Sequence, residues 1–135
     1  MENRLSNRKA QAGFTLIELM VVMFIISLIA ALVVPKFLDH VDKASQQEAQ
    51  AQIELLGQAL DLYRLKNHKY PTTEEGLEAI QPFLKKQLPQ DPWKSDFVYR
   101  SPGEHGDYDL ISLGADQAEG GEDSNQDIVS WKHFE

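Results

Sequence analysis

The sequence predicts an α+β fold in which one long helix comes first and short helices and a small antiparallel β-sheet pack against it. Two observations predict this arrangement. An apolar run from Phe14 to Val34 continues into a polar stretch whose apolar residues keep helical spacing as far as about Lys66. Beyond this stretch lie three short segments rich in aromatic and β-branched residues, separated by Pro, Gly, Asn and Asp.

The apolar run is long enough to cross a membrane. It contains 21 residues with one charge, Glu18, and at about 1.5 Å per residue it spans roughly the 30 Å of a bilayer core. Basic residues before it favour a cytoplasmic N-terminus, with the rest of the chain outside. A plain signal peptide fits poorly, because the run is too long and no small-residue cleavage site follows it.

Glu18 is the informative residue of this run. A carboxylate inside an apolar membrane helix costs about 2.5 to 3.5 kcal/mol on insertion scales unless it is paired. The sequence therefore predicts a partner for Glu18, or else a carboxyl group that reaches the interface or is protonated.

The second half of the predicted helix is amphipathic. Pro35 is expected to kink or locally melt the helix where it leaves the apolar run. Its apolar face consists of residues at steps of three and four: Ile53, Leu56, Leu60 and Tyr63. Three further leucines are predicted to widen this face: Leu55, Leu62 and Leu65. The sequence Asn67 to Pro71 ends the helix.

A short helix and three strands are expected after this break. Thr72 and Glu75 form a capping-box pattern before a helix over Glu74 to Leu84. The predicted antiparallel strands are Phe97 to Arg100, Tyr108 to Ser112 and Ile128 to Trp131.

The composition limits the class of protein. A chain of 135 residues has room for one domain, and without cysteine it holds neither disulfides nor thiolate metal sites. The formal net charge is −8, and because residues 1–13 carry +2, the remainder carries −10. Such an acidic chain repels phosphate backbones, which argues against nucleic acid as a partner and favours cations.

Acidic residues concentrate in the last predicted loops. The segment Ser101 to Trp131 contains no Lys or Arg and eight acidic residues: Glu104, Asp107, Asp109, Asp116, Glu119, Glu122, Asp123 and Asp127. Carboxylates mixed with glycines and amides suit calcium, which takes six to eight oxygen ligands. The EF-hand template fails at Ala118 and Gly120. These residues alone leave two interpretations open, a calcium site and a solvated acidic loop.

No arrangement of residues predicts catalysis. The chain has four histidines without metal-ligand spacing: His40, His68, His105 and His133. No serine has a base and an acid placed for nucleophilic attack. The sequence therefore predicts a protein that is not an enzyme.

The junction Gly13-Phe14-Thr15-Leu16-Ile17-Glu18 resembles the leader junction of type IV pilins and pseudopilins. The resemblance implies that a prepilin peptidase cuts between Gly13 and Phe14 and methylates the new amine of Phe14. It also implies that Glu18 meets the N-terminal ammonium of a neighbouring subunit in a helical filament.

A closer resemblance, to the major pseudopilins of type II secretion systems, lies in Tyr70 to Leu77, Asp91 to Trp93 and Ser112 to Asp116. The sequence departs from the family pattern at Lys94 to Phe97, which leaves the local turn there undetermined. The resemblance implies a type IV pilin-like fold in three parts: a leader at 1–13, a transmembrane and filament-core helix at 14–35, and a periplasmic domain at 36–135. The last part comprises an amphipathic helix, 36–66, and a helix-loop-β region, 67–135.

The resemblance also implies calcium in the acidic loop between Leu113 and Asp127. The implied ligands are three carboxylates and two backbone carbonyls: Asp116, Asp123, Asp127, Leu113 and Ala118. Ser124 is an alternative ligand, because its alignment with the family is ambiguous.

The function implied is that of the major structural subunit of a periplasmic pseudopilus that promotes export of folded proteins across the outer membrane. The implied partners are other copies of the chain, minor pseudopilins, prepilin peptidase, membrane lipid and an inner-membrane platform with a cytoplasmic ATPase. A type IV pilin of a surface pilus is the alternative. A third hypothesis is a membrane-tethered binding protein, which would need no cleavage at Gly13.

Overall fold

The computed structural model describes residues 13–132, so the predicted leader, apart from Gly13, lies outside the described residues. The described residues contain long and short helices and an antiparallel sheet, which confirms the predicted α+β class. Their order is helix α1 (Leu16–Asn67), a 3-10 helix (Leu77–Phe83), strand β1 (Val98–Arg100), strand β2 (Asp109–Ser112), a second 3-10 helix (Asp123–Asn125) and strand β3 (Ile128–Val129). The chain divides into two compact units between Phe37 and Leu38.

Helix α1 is 52 residues long and agrees with the helix predicted from Phe14 to about Lys66. Pro35 lies inside it, and the expected kink or local melting does not end the helix there. Arg64 and Lys66 occupy the last turn, where positive charge interacts favourably with the carbonyl end of a helix. His68, with φ of 63°, then takes the left-handed conformation in which many helices end.

One stripe of α1 in the second unit is buried. Its members recur at steps of three or four along the helix: Gln46, Ala49, Ile53, Leu56, Ala59 and Leu60. The prediction that Leu55, Leu62 and Leu65 widen this face was wrong, because they are exposed by 52%, 48% and 75%. At about 100° of rotation per residue, all three lie more than a quarter of a turn from the centre of the stripe.

The segment after α1 contains the predicted capping box but a different helix. The N–H of Glu75 donates to Thr72 Oγ1 (3.2 Å) and the N–H of Thr72 donates to Glu75 Oε2 (2.8 Å). The predicted helix over Glu74 to Leu84 was wrong in its start and type, since a 3-10 helix begins at Leu77. Gly76, with φ of 63°, interrupts the turn before it, and Pro82 lies inside it.

The sheet has the order β1-β2-β3, and both pairs are antiparallel. Its register pairs Tyr99 with Leu110 and Ser112 with Ile128. The three strands lie where the sequence predicts them, although each is shorter than predicted. The central strand, β2, lies between the two edge strands. Every residue of β2 is buried, so this strand belongs to the core.

Three tyrosine rings connect the sheet and its loops to α1. Tyr108 contacts the rings of Tyr70 and Tyr99 with centroids 5.0 and 6.1 Å apart, and Tyr99 Oη donates to the carbonyl of Pro71 (2.7 Å). Burial, followed by the nearby charge of Asp61, raises the pKa of Tyr108 to about 12. The hydroxyl of Tyr108 therefore remains neutral where it approaches α1.

A buried carboxylate fixes the loop before β2. Asp109 is 1% exposed and accepts hydrogen bonds from the N–H of Glu104 (2.9 Å), the N–H of His105 (3.2 Å) and His105 Nδ1 (3.3 Å). The His105 ring stacks on Trp131, with centroids 3.8 Å apart and planes 5° from parallel. The loop and the segment after β3 are thus held through one imidazole.

Gly57 leaves room on α1 for Tyr108, because a Cβ at this position would lie 3.1 Å from the Tyr108 hydroxyl. We expect Gly57→Ala to lower the free energy of unfolding by about 1 kcal/mol through overpacking. In a Tyr108→Phe background the same change should raise it by about 0.5 to 1 kcal/mol, because alanine favours helix. A denaturant double-mutant cycle measures the difference, and equal effects in both backgrounds would contradict the assigned contact.

Asp109 makes stability depend on pH. Burial acts to raise its pKa, but the hydrogen bonds from Glu104 and His105 outweigh burial, and the pKa of Asp109 is lowered. Its contribution is therefore present above the unfolded value of about 3.9 and is lost as pH falls from there through the folded pKa. We expect Asp109→Asn to destabilise by about 2 kcal/mol at pH 7. This loss should shrink below about pH 4.

Thermal unfolding from pH 3 to pH 7 tests this expectation, with the exposed Asp107→Asn as the matched control. A loss for Asp109→Asn that stays constant across this pH range would show that charge on Asp109 is not what stabilises the loop.

Candidate functional site

The start of α1 is a capping box. The N–H of Glu18 donates to Thr15 Oγ1 (3.2 Å), and the N–H of Thr15 donates to Glu18 Oε2 (3.4 Å). Thr15 and Glu18 thus satisfy each other's backbone donors, which defines the first turn. This role was not predicted from the sequence, although the Thr-x-x-Glu spacing signals it. Gly13 and Phe14 precede the helix, and Phe14 is 92% exposed.

The first unit presents apolar side chains all along its helix. Every residue from Gly13 to Phe37 is exposed. The hydroxyl of Ser27 donates to the carbonyl of Met23 (2.7 Å), so this polar group is satisfied within the helix. By length and composition, α1 contains a segment able to cross a membrane. Glu18 remains the one charge between Phe14 and Val34.

The acidic loop between β2 and β3 closes on itself through the predicted ligand residues. The N–H of Ala115 donates to the carbonyl of Ser124 (3.0 Å), and the N–H of Gly120 donates to Asp127 Oδ2 (2.9 Å). Asp116 Oδ1 accepts from the N–H of Ala118 (3.2 Å). The loop therefore has two arms that lie against each other: one follows β2 and contains Ala115, and the other precedes β3 and contains Ser124 and Asp127.

Gly121 permits the closest approach inside the loop. Its φ is 101°, a conformation that side chains disfavour, and a Cβ there would lie 2.5 Å from the carbonyl oxygen of Asn125. Glycine at this position allows the loop to double back beside the second 3-10 helix.

Cationic and amide groups from elsewhere in the fold reach this loop. Arg100 of β1 donates to Glu119 (2.6 Å), and this hydrogen bond raises the pKa of the guanidinium. The Arg100 side chain is 42% exposed and that of Glu119 is 70% exposed, so the pair is in contact with solvent and contributes little to stability. From α1, the carboxamide of Gln46 donates to the carbonyl of Asp123. Neither contact was predicted from the sequence, because both join segments that are distant along the chain.

The predicted calcium ligands differ in environment. Asp116, Ala118 and Asp123 are exposed, while Leu113, Ser124 and Asp127 are partly buried. Within residues 13–132, no three His, Cys, Asp or Glu side chains form a group that could hold a metal ion. The three predicted carboxylates are therefore not gathered into one cluster.

The chemistry of the loop nevertheless fits a hard cation. Asp127 Oδ1 is buried without a hydrogen-bond partner among the described residues, an unfavourable state for a carboxylate oxygen. All the predicted ligands offer oxygen, the atom that calcium prefers. Calcium in this loop stays a prediction.

The apolar helix with a capped glutamate near its start, followed by a small α+β unit, is the architecture of a pilin-like protein. A sequence model of the prokaryotic N-terminal methylation motif matches residues 8–34. The model described as type II secretion system (T2SS), protein G matches residues 36–131. The chain belongs to this protein G family of type II secretion pseudopilins.

Similar proteins agree with this assignment. Type II secretion system core protein G of Pseudomonas aeruginosa is 45% identical over 92% of this chain and 97% of the relative. The protein of the same name from Escherichia coli K12 is 47% identical over 90% and 91%.

A solved structure also matches. The crystal structure of the major pseudopilin from the type 2 secretion system of enterohaemorrhagic Escherichia coli has a TM-score of 0.58 and 37% identity, covering 68% of this chain and 90% of that one. The prediction of a pilin-like pseudopilin fold is confirmed. The family is one of structural pseudopilins and not a family of enzymes.

Proposed function

We propose that this chain is the major structural subunit of a type II secretion pseudopilus. It polymerises into a periplasmic helical filament that promotes export of folded proteins across the outer membrane. The observation that carries this proposal is the exposed apolar helix with a single carboxylate, Glu18, near its start in a member of the protein G family. Family membership over residues 36–131 favours this function over a surface pilus.

The N-terminal part of the chain has the features that processing requires. In this proposal, prepilin peptidase removes residues 1–13 and methylates Phe14. The match of residues 8–34 to the N-terminal methylation motif supports this step. Phe14 is exposed and precedes the first helical residue, so the Gly13–Phe14 bond lies outside the hydrogen-bonded helix.

Before assembly, residues 14–35 anchor the chain in the inner membrane and residues 36–135 form the periplasmic domain. The N-terminus is cytoplasmic in this topology, as the basic residues of the leader favour. The proposed partners besides lipid are minor pseudopilins and an inner-membrane platform driven by a cytoplasmic ATPase. The acidic surface of the chain disfavours nucleic acid as a partner.

Glu18 directs assembly by charge. Its capping box uses Oε2 for one hydrogen bond, and a carboxylate has further capacity to accept. In a filament, the ammonium of Phe14 from a neighbouring copy pairs with it, an attraction that is strong where water is scarce. Because the two groups occupy different places on each copy, the contact is heterologous, and its repetition generates an open helical array where the rotation between copies does not close a ring.

Calcium completes the acidic loop in this proposal. The carboxylates and carbonyls that would hold it are Asp116, Asp123, Asp127, Leu113 and Ala118, with Ser124 as the alternative ligand. When bound, the ion supplies positive charge between the two arms of the loop, so that its binding energy adds to folding energy. Sites of this kind have dissociation constants of about 10⁻⁴ to 10⁻³ M, which suit a compartment outside the cytoplasm.

Glu18→Gln tests the charge of Glu18 separately from the capping box. Glutamine keeps the capping hydrogen bonds but cannot form an ion pair with the ammonium. We expect export of a type II substrate to fall at least about tenfold in a strain that carries only this variant, because one full ion pair per subunit corresponds to more than 1.4 kcal/mol. Export is measured as exoprotein in the medium, and filaments are counted by electron microscopy.

The matched control is Glu54→Gln, which changes an exposed glutamate further along the same helix and should leave export unchanged. Intact mass must show that both variants begin at a methylated Phe14. Normal export and normal filaments with Glu18→Gln would overturn the pairing role, and an uncleaved leader in the wild type would overturn prepilin processing.

Calcium should stabilise the full mature chain in detergent. At 10 mM calcium, the dissociation constants above correspond to about 1.4 to 2.7 kcal/mol of added stability relative to chelator. We expect Asp127→Asn to remove most of this gain, because it changes the buried unpaired oxygen, whereas the exposed control Glu78→Gln should keep it. Thermal unfolding in calcium, magnesium and chelator measures the effect. Identical curves in all three would show a solvated acidic loop instead.

A further inference from the structure

Gln46 is a polar residue in an otherwise apolar buried stripe. It lies at the beginning of the stripe on α1, three residues before Ala49, and is 4% exposed. A buried carboxamide is unfavourable unless its donors and acceptor are satisfied, and an aliphatic residue would fill this position without that cost. The placement of glutamine here therefore calls for a specific contact.

That contact is with the acidic loop. Gln46 Nε2 donates to the carbonyl of Asp123, 77 residues away. Among the hydrogen bonds of residues 13–132, this one alone joins a side chain of α1 to the loop between β2 and β3. Asp123 has φ of 53°, a left-handed conformation that aspartate adopts more readily than most residues, and it begins the second 3-10 helix.

The held peptide lies at the centre of the loop's own contacts. The carbonyl of Asp123 also accepts from the N–H of Gln126 (3.2 Å), and the next carbonyl, that of Ser124, accepts from the N–H of Ala115 (3.0 Å). Gln46 therefore fixes the arm that carries Asp123 at the point where the opposite arm is attached.

An open groove of about 860 Å³ runs beside this contact. Its lining residues are Asp39, Asp42, Lys43, Gln46, Gln47, Asp123, Ser124 and Gln126. Gln46 is buried at this groove, whereas its neighbour Gln47 is exposed. The groove leaves Asp123 accessible to solvent and ions while its backbone is held from α1.

We propose that Gln46 is a positioning residue for calcium in the acidic loop. By holding the carbonyl of Asp123, it fixes the backbone from which the carboxylate of Asp123 reaches the ion. Helix α1 and calcium binding are then thermodynamically linked through this hydrogen bond. This inference rests on the calcium site of the proposed function.

A purely structural role for Gln46 makes a different prediction. A buried amide that only satisfies a carbonyl would stabilise the fold equally with and without calcium. A positioning residue changes the affinity for calcium itself, as partners of metal ligands commonly do by 10- to 100-fold. Calcium affinity therefore separates the two roles.

The test compares Gln46→Met with Gln47→Met in the full mature chain in detergent. Methionine keeps the volume of glutamine and removes the donor. Calorimetric titration with calcium alone should give a dissociation constant at least about tenfold weaker for Gln46→Met and unchanged for Gln47→Met. As a second measurement, the side-chain amide NMR signal of Gln46 in the wild type should shift on calcium addition, and that of Gln47 should not.

The second measurement needs no variant, so an unshifted Gln46 signal overturns the inference even where Gln46→Met fails to fold. Equal calcium affinities for wild type and Gln46→Met, or a Gln46 signal that ignores calcium binding, would overturn the inference and leave the calcium site standing. A wild type that binds no calcium would overturn both the site and the inference.

Discussion

The second unit depends on the burial of one stripe of helix α1. The three strands contain only three, four and two residues, too few to form a stable sheet without a partner. Leu56 and Leu60 of α1 form one buried cluster with Ile80, Leu110 and Ile128. Full burial of such a side chain is worth about 1.5 to 3 kcal/mol. The helix thus serves as the surface on which the first 3-10 helix and the three strands assemble.

Buried polar side chains hold the loops that these short strands leave behind. Asp91 is 3% exposed and accepts from the N–H groups of Trp93 and Ser95 and from the hydroxyl of Ser112 on β2. Its carboxylate satisfies two backbone N–H groups that lie outside the strands. Asp91 therefore fixes the segment before β1 against the central strand. Long loops become ordered here because carboxylates bind several N–H groups at once.

Local patterns predicted the elements, and long-range contacts escaped prediction. Spacing of Ile53 and Leu56 gave the buried stripe, but it could not show that Leu55 faces outward, since a broad apolar pattern fits more than one orientation. The 3-10 geometry after Gly76 depends on one left-handed residue that sequence spacing does not reveal. Gln46 contacts a residue 77 positions away, which no local pattern encodes. The calcium ligands remain a prediction from family resemblance.

The position of β3 in the chain has a consequence for synthesis. Ile128 joins the same buried cluster as Leu56, which precedes it by 72 residues. The core therefore cannot close until nearly all of the second unit has left the ribosome. A domain that completes its core this late stays unfolded while most of it is being synthesised, because contacts between distant residues form only when both partners are present. Folding of the second unit therefore follows its synthesis and does not accompany it.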